Sequence, residues 1–159
     1  MKLVATILLL FSVALVTSAE PVVSLVYFNN RWAPDTQIEI SVDSKGLLAV
    51  KSESKIMTNE PRQVQLPLKK LQDLKRELEE VDWKTVSADK TGGRDGTSIR
   101  ISYGKQSASL WSPDSDSERR GLSRIQKAIE TILSLSGLER DGLPKRNKEA
   151  EQVVAPNGP

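Results

Sequence analysis

Residues 37–54 read QIEISVDSKGLLAVKSES, and no other stretch limits the fold so tightly. Ile38, Ile40 and Val42 alternate with Glu39 and Ser41, the period-two pattern of a strand with one buried and one wet face. Residues 43–46 (DSKG) then turn the chain, with Gly46 able to take the positive φ that a tight hairpin demands. Residues 47–54 return as the partner strand. A hairpin with one dry face needs an apolar layer packed against it.

Two amphipathic helices supply that layer. Residues 62–66 (RQVQL) predict a short strand, and Pro67 then falls where a first helical residue is favoured, because its missing N–H would lack a partner there. Leu68, Leu71, Leu74, Leu78 and Val81 recur at helical spacing and define one apolar stripe. Lys69 and Lys70 lie at the start of this helix and Glu79 and Glu80 at its end, so both ends oppose the helix dipole. The apolar stripe must therefore hold the helix in place. Further on, Ser115 and Glu118 have the spacing of a capping box, and Leu122, Ile125, Ile129 and Ile132 form a second stripe that Gly137 stops.

Two more β segments complete the pattern. Residues 22–28 (VVSLVYF) are β-branched and aromatic and predict a strand, followed by a loop over 29–35 (NNRWAPD). Residues 99–111 (IRISYGKQSASLW) predict a second hairpin, turning at Gly104-Lys105. The order β-β-β-(β)-α-β-β-α gives an α+β fold: an antiparallel sheet of about five strands with two amphipathic helices on one face, the other face partly wet.

The ends of the chain read differently from its middle. Met1 and Lys2 precede an uncharged apolar run of about 14 residues, short of the roughly 20 that a membrane-spanning helix needs. Thr17-Ser18-Ala19 supplies small residues for a signal peptidase, so residues 1–19 are expected to be a signal peptide cleaved before Glu20. Residues 20–138 are expected to form a single soluble domain. Residues 139–159 are charged, punctuated by Pro and Gly and nearly free of large apolar side chains, the composition of a disordered tail. Export of a cysteine-free chain suits a bacterial periplasmic or secreted protein stabilised by packing alone.

Composition then excludes chemistry. The chain has no histidine and no cysteine. Ser-His-Asp and Cys-His catalysis, the common zinc sites and thiol redox chemistry are all removed, which leaves Asp, Glu, Lys and Tyr for acid–base work and a paired-carboxylate hydrolase open in principle. No residue stands out as nucleophile or base, so no catalytic residue, cofactor or metal ligand is expected. A near balance of 23 basic and 21 acidic residues argues against nucleic acid as a partner.

Three local motifs invite a functional reading. Residues 90–98, KTGGRDGTS, carry three glycines but neither the lysine nor the spacing of a phosphate-binding loop, and they lead into a strand rather than a helix. They predict a turn at Asp95-Gly96 with Gly92, Gly93 and Arg94 as a lip. Residues 114–118, DSDSE, place carboxylates at alternate positions, yet Arg119 and Ile125 stand where a calcium loop needs Gly and Glu. Trp32 sits in a loop beside Arg31, a placement open to a protein or sugar contact. Arg31, Trp32 and Arg94 are the candidate partner-binding residues.

Asp95-Gly96, Gly104 and Trp111-Ser112-Pro113, with the helix ending in VDW before them, resemble a pattern in uncharacterised exported bacterial proteins. The resemblance spans residues 66–137 and implies a small α+β domain with no assigned activity. In element order alone the chain is similar to emfourin-type inhibitors of thermolysin-like metalloproteases, and no inhibitory residue carries over. The expected function is a non-catalytic domain that binds a protein or envelope component in the periplasm or medium, free of the membrane after signal cleavage. The alternatives are an inhibitor of an extracellular protease and a carboxylate-based hydrolase.

Overall fold

The structure, a computed structural model, describes residues 21–29, 36–53, 61–93 and 96–138. The expected signal peptide and tail lie outside these residues. Strands β1 (Pro21–Asn29), β2 (Thr36–Asp43), β3 (Leu47–Glu53) and β4 (Arg62–Gln65) are followed by helices α1 (Leu68–Glu79) and α2 (Trp83–Ala88). Strands β5 (Thr97–Tyr103) and β6 (Gln106–Trp111) and helix α3 (Ser123–Leu135) complete the order. The six strands form one sheet, β4-β3-β2-β1-β5-β6, with every neighbouring pair antiparallel. The fold is α+β, as the pattern predicts, with six strands where about five are expected.

One face of the sheet is dry. Val23, Leu25 and Tyr27 of β1 line up with Ile38, Ile40 and Val42 of β2, Leu48 of β3, Ile99 and Ile101 of β5, and Ala108 and Leu110 of β6. Leu71, Leu74 and Leu78 of α1 close over this face together with Ile125, Ile129, Ile132 and Leu133 of α3. Burying each such side chain is worth about 1.5–3 kcal/mol, enough to outweigh a misaligned dipole. The odd charge order of α1 also acquires a reason. Glu79 accepts from the Tyr103 hydroxyl at 3.0 Å, Glu80 pairs with Arg124, and Glu77 accepts from the Thr131 hydroxyl at 2.9 Å. These glutamates tie α1 to β5 and α3, a role that helical spacing cannot reveal.

Three sequence expectations need correction. Pro67 is the residue before α1, extended at ψ 142, so the helix starts at Leu68. The VDW segment, expected to end the first helix, lies beyond it, and its Trp83 opens a helix of its own, α2. Asp82 caps it by accepting from the Thr85 amide at 3.2 Å and the Thr85 hydroxyl at 2.7 Å. The buried Trp83 donates its Nε1–H to the Leu78 carbonyl at 3.0 Å, satisfying one of the acceptors left at the end of α1. Ser115 and Glu118 do not cap α3. The chain winds through turns over residues 113–121, and α3 begins only after Gly121, with Leu122 as its N-cap and no side-chain cap bond. The left-handed conformation of Gly121, φ 70, separates the turns from the helix.

The stop at Gly137 is as expected. Gly137 has φ 71, its amide bonds to the Ser134 carbonyl, and the Leu138 amide reaches back to Leu133 at 2.9 Å, the paired bonds of a Schellman motif.

The outer face of the sheet is polar at its flanks. Across it, one row reads Ser109, Arg100, Val26, Glu39, Lys51 in register from β6 to β3, and the next reads Ser107, Ser102, Ser24, Ser41, Ala49. Arg100, Glu39 and Lys51 are exposed, whereas Val26 and Phe28 on central β1 are half-buried. Both sheet edges are blunted. β4 has four residues between Pro61 and Pro67. The edge carbonyls of Ser107 and Trp111 on β6 accept from the Ser87 hydroxyl and from Arg120, each at 2.9 Å.

Candidate functional site

Arg120 organises the corner of the domain where α2, β6 and the turns before α3 meet. Its Nη1 donates to the carbonyls of Ser112 and Ser115, both at 2.9 Å. Its Nη2 donates to the Trp111 carbonyl at 2.9 Å and to Asp89 Oδ2 at 2.6 Å. The guanidinium fork thus holds the end of a strand, two turns and the C-cap of α2 together, a task its planar, multi-donor geometry suits and an ammonium does not. Its buried Nε has no partner. Asp89 also accepts from the Thr91 hydroxyl at 2.8 Å. The Arg120 hydrogen bond is the main reason that the Asp89 carboxyl is held below the usual carboxylate range, with Thr91 adding to it against the opposing effect of burial.

Around this brace lies a cleft of about 590 Å³, lined among others by Thr91, Trp111, Ser112, Asp116 and Arg119. That volume is in the range of small-ligand sites, but hydroxyl, carboxylate and guanidinium groups predominate in its lining. Asp116 and Arg119 form an exposed ion pair at 2.7 Å on the rim. Two of the cleft's residues hold left-handed backbone without being glycine, Ser112 at φ 37 and Asp116 at φ 56. They are the only such residues among those described, and strain of this kind persists only where the surroundings enforce it. Arg120's bonds to the carbonyls of Ser112 and Ser115 are that enforcement.

The glycine-rich loop has a part in this corner that spacing did not reveal. A Cβ on Gly93 would stand 2.7 Å from Trp111 Nε1, and one on Gly96 would stand 2.9 Å from Trp111 Cζ2 and 2.4 Å from Ser112 Oγ. The loop uses glycine there to lie directly against the indole. Gly92 faces open space.

Arg31, Trp32 and Arg94 lie outside the described residues. Among the described residues no three acidic side chains come together to hold a metal ion, so Asp114, Asp116 and Glu118 do not form a cage. No protein-family model matches the chain, and no curated protein matches it in sequence. The cleft must therefore be interpreted from its own chemistry. Asp89 and Arg120 stand 31 residues apart, and Arg120 sits in a polar run, so the sequence offers no spacing that links them. Trp111, the last residue of β6, is half-buried and lines the cleft.

Proposed function

We propose that this chain is an exported, non-catalytic binding domain, and that the cleft beside Trp111 takes a hydroxyl-rich polymer segment of the cell envelope. The observation that carries the reading is the lining itself. One indole sits among Thr91, Ser112, Asp116 and Arg119, on a backbone fixed by Arg120. A sugar ring offers an apolar face for an indole and a rim of hydroxyls for carboxylates and guanidinium groups, so both halves of the lining find a use. General acid–base catalysis wants a group with a pKa near the working pH, and Asp89 is shifted the other way.

The test is titration with soluble envelope oligosaccharides, following Trp emission, together with retention on the insoluble polymer. Asp116→Asn and Arg119→Ala should each weaken binding at least about fivefold, the worth of one lost polar contact, with an unchanged melting temperature. Absence of any emission change or retention at millimolar oligosaccharide overturns the reading.

A further inference from the structure

The outer sheet face places opposite charges on the two strands that flank β1. In the row through Val26, Arg100 stands one strand to one side of β1 and Glu39 one strand to the other. Plus and minus thus flank the central strand with an apolar residue between them, and farther out Lys51 lies beyond Glu39 and Ser109 beyond Arg100, so the axis proposed below sets Lys51 over a serine. The row through Ser24 is small on both sides, Ser102 and Ser107 against Ser41 and Ala49, while Phe28 continues the apolar line along β1.

We propose that a second copy of this chain packs on this face about a twofold axis running along β1. Such an axis lays each side of the sheet over the opposite side of the partner copy. Each Arg100 then meets a Glu39 across the interface, twice per dimer, and Val26 meets its own counterpart at the centre. The other in-plane axis, perpendicular to the strands through this row, would set Arg100 over Arg100, so the charges select one arrangement. A self-complementary patch is what a twofold interface requires. Sheets packed face to face lie about 10 Å apart with strands within about 30°, close enough for an arginine and a glutamate to span the gap together. The Ser/Ala row leaves room for that approach.

The dimensions also suffice. Six strands at roughly 4.8 Å spacing and about 20 Å of strand length give a plane of about 500–600 Å². Its pleated surface approaches the roughly 800 Å² per partner of a standard interface. Because both sheet edges are blunted, the broad face is the part of the sheet left to carry an association.

Reversal of one charge gives a direct test. Sedimentation equilibrium of the full chain, expressed with its own N-terminal segment in an exporting host, should show a dimer at micromolar concentration. Arg100→Glu sets a carboxylate against Glu39 of the other copy, and Glu39→Lys sets an ammonium against Arg100. Each variant alone should dimerise at least about 100-fold more weakly, since like charges face each other at two places. An equimolar mixture of the two should recover a one-to-one dimer. In that pairing the two introduced charges, which are opposite, meet at one contact, and the parental Glu39 and Arg100 meet at the other. Circular dichroism of each variant establishes that it is folded. A monomeric parent chain, variants that stay dimeric, or a mixture that stays monomeric each overturns the proposal, the first by leaving the face to a different partner.

Discussion

Arg120 and Asp89 meet at 2.6 Å with side chains only 11% and 8% exposed, joining the end of α2 to the turns that lead into α3. Removing one partner of such a pair leaves the other charge buried and unmatched, at a cost of about 3–5 kcal/mol. Arg120→Ala should therefore lower the unfolding free energy by that amount in urea titration. Arg120→Lys should recover little of the loss, because one ammonium cannot reach the four acceptors that the fork serves. A fully stable Lys variant would reduce Arg120 to a simple counter-ion.

Gly93 and Gly96 should tolerate no added methyl. Alanine at either position drives a Cβ into the Trp111 ring, and at Gly96 into the Ser112 hydroxyl as well. Overpacking of this kind costs about 1–3 kcal/mol. Gly92→Ala meets nothing within 4 Å and serves as the matched control, expected at or slightly above parental stability. Thermal melts read by Trp emission compare all three variants.

Acid should loosen the corner in a defined interval. The Asp89 carboxyl is depressed below its ordinary 3.8 in the folded state, so the unfolded chain takes up the proton first as pH falls. Its contribution is complete above the ordinary carboxyl range and is lost as pH drops from 3.8 through the folded-state value. Asp82, held down chiefly by the Thr85 hydroxyl, acts in the same direction. Stability measured against pH should thus decline less steeply in Asp89→Asn than in the parent, without becoming flat. Equal slopes would remove Asp89 from the account.

Asp116 combines backbone strain with a place on the cleft rim. Asp116→Gly relieves the left-handed backbone, worth about 1–2 kcal/mol at most, against about 0.5–1 kcal/mol of glycine's chain entropy, and removes only an exposed ion pair, so it should raise stability by less than about 1 kcal/mol. The same change should weaken oligosaccharide binding. A variant that gains stability without losing affinity would separate the strain from the function.

The parts of the fold legible in the sequence are those whose burial leaves a local period. Ile38, Ile40 and Val42 announce a strand because one sheet face is dry, and Gly137 ends α3 because its left-handed turn needs no distant partner. α2 escaped because six residues are too few to show a period; a cap at Asp82 and the burial of Trp83 hold it. Ser115 and Glu118 have the right local grammar for a cap, yet Arg120's bonds to the Ser112 and Ser115 carbonyls wind that segment into turns instead. The cleft was illegible for the same reason. Its brace joins Asp89 to Arg120 through space, and the glycines beside Trp111 answer to a ring that the chain reaches later.

The place of β1 in the sheet bears on the order of assembly. β1 is the first strand among the described residues, yet it lies in the middle, with β2, β3 and β4 on one side and β5 and β6 on the other. The hairpins β2–β3 and β5–β6 can each close locally, but they share no hydrogen bond until β1 enters between them. β1 begins at Pro21, two residues beyond the expected cleavage site at Ala19. Insertion of β1 is then the event that lets the two halves of the sheet become one.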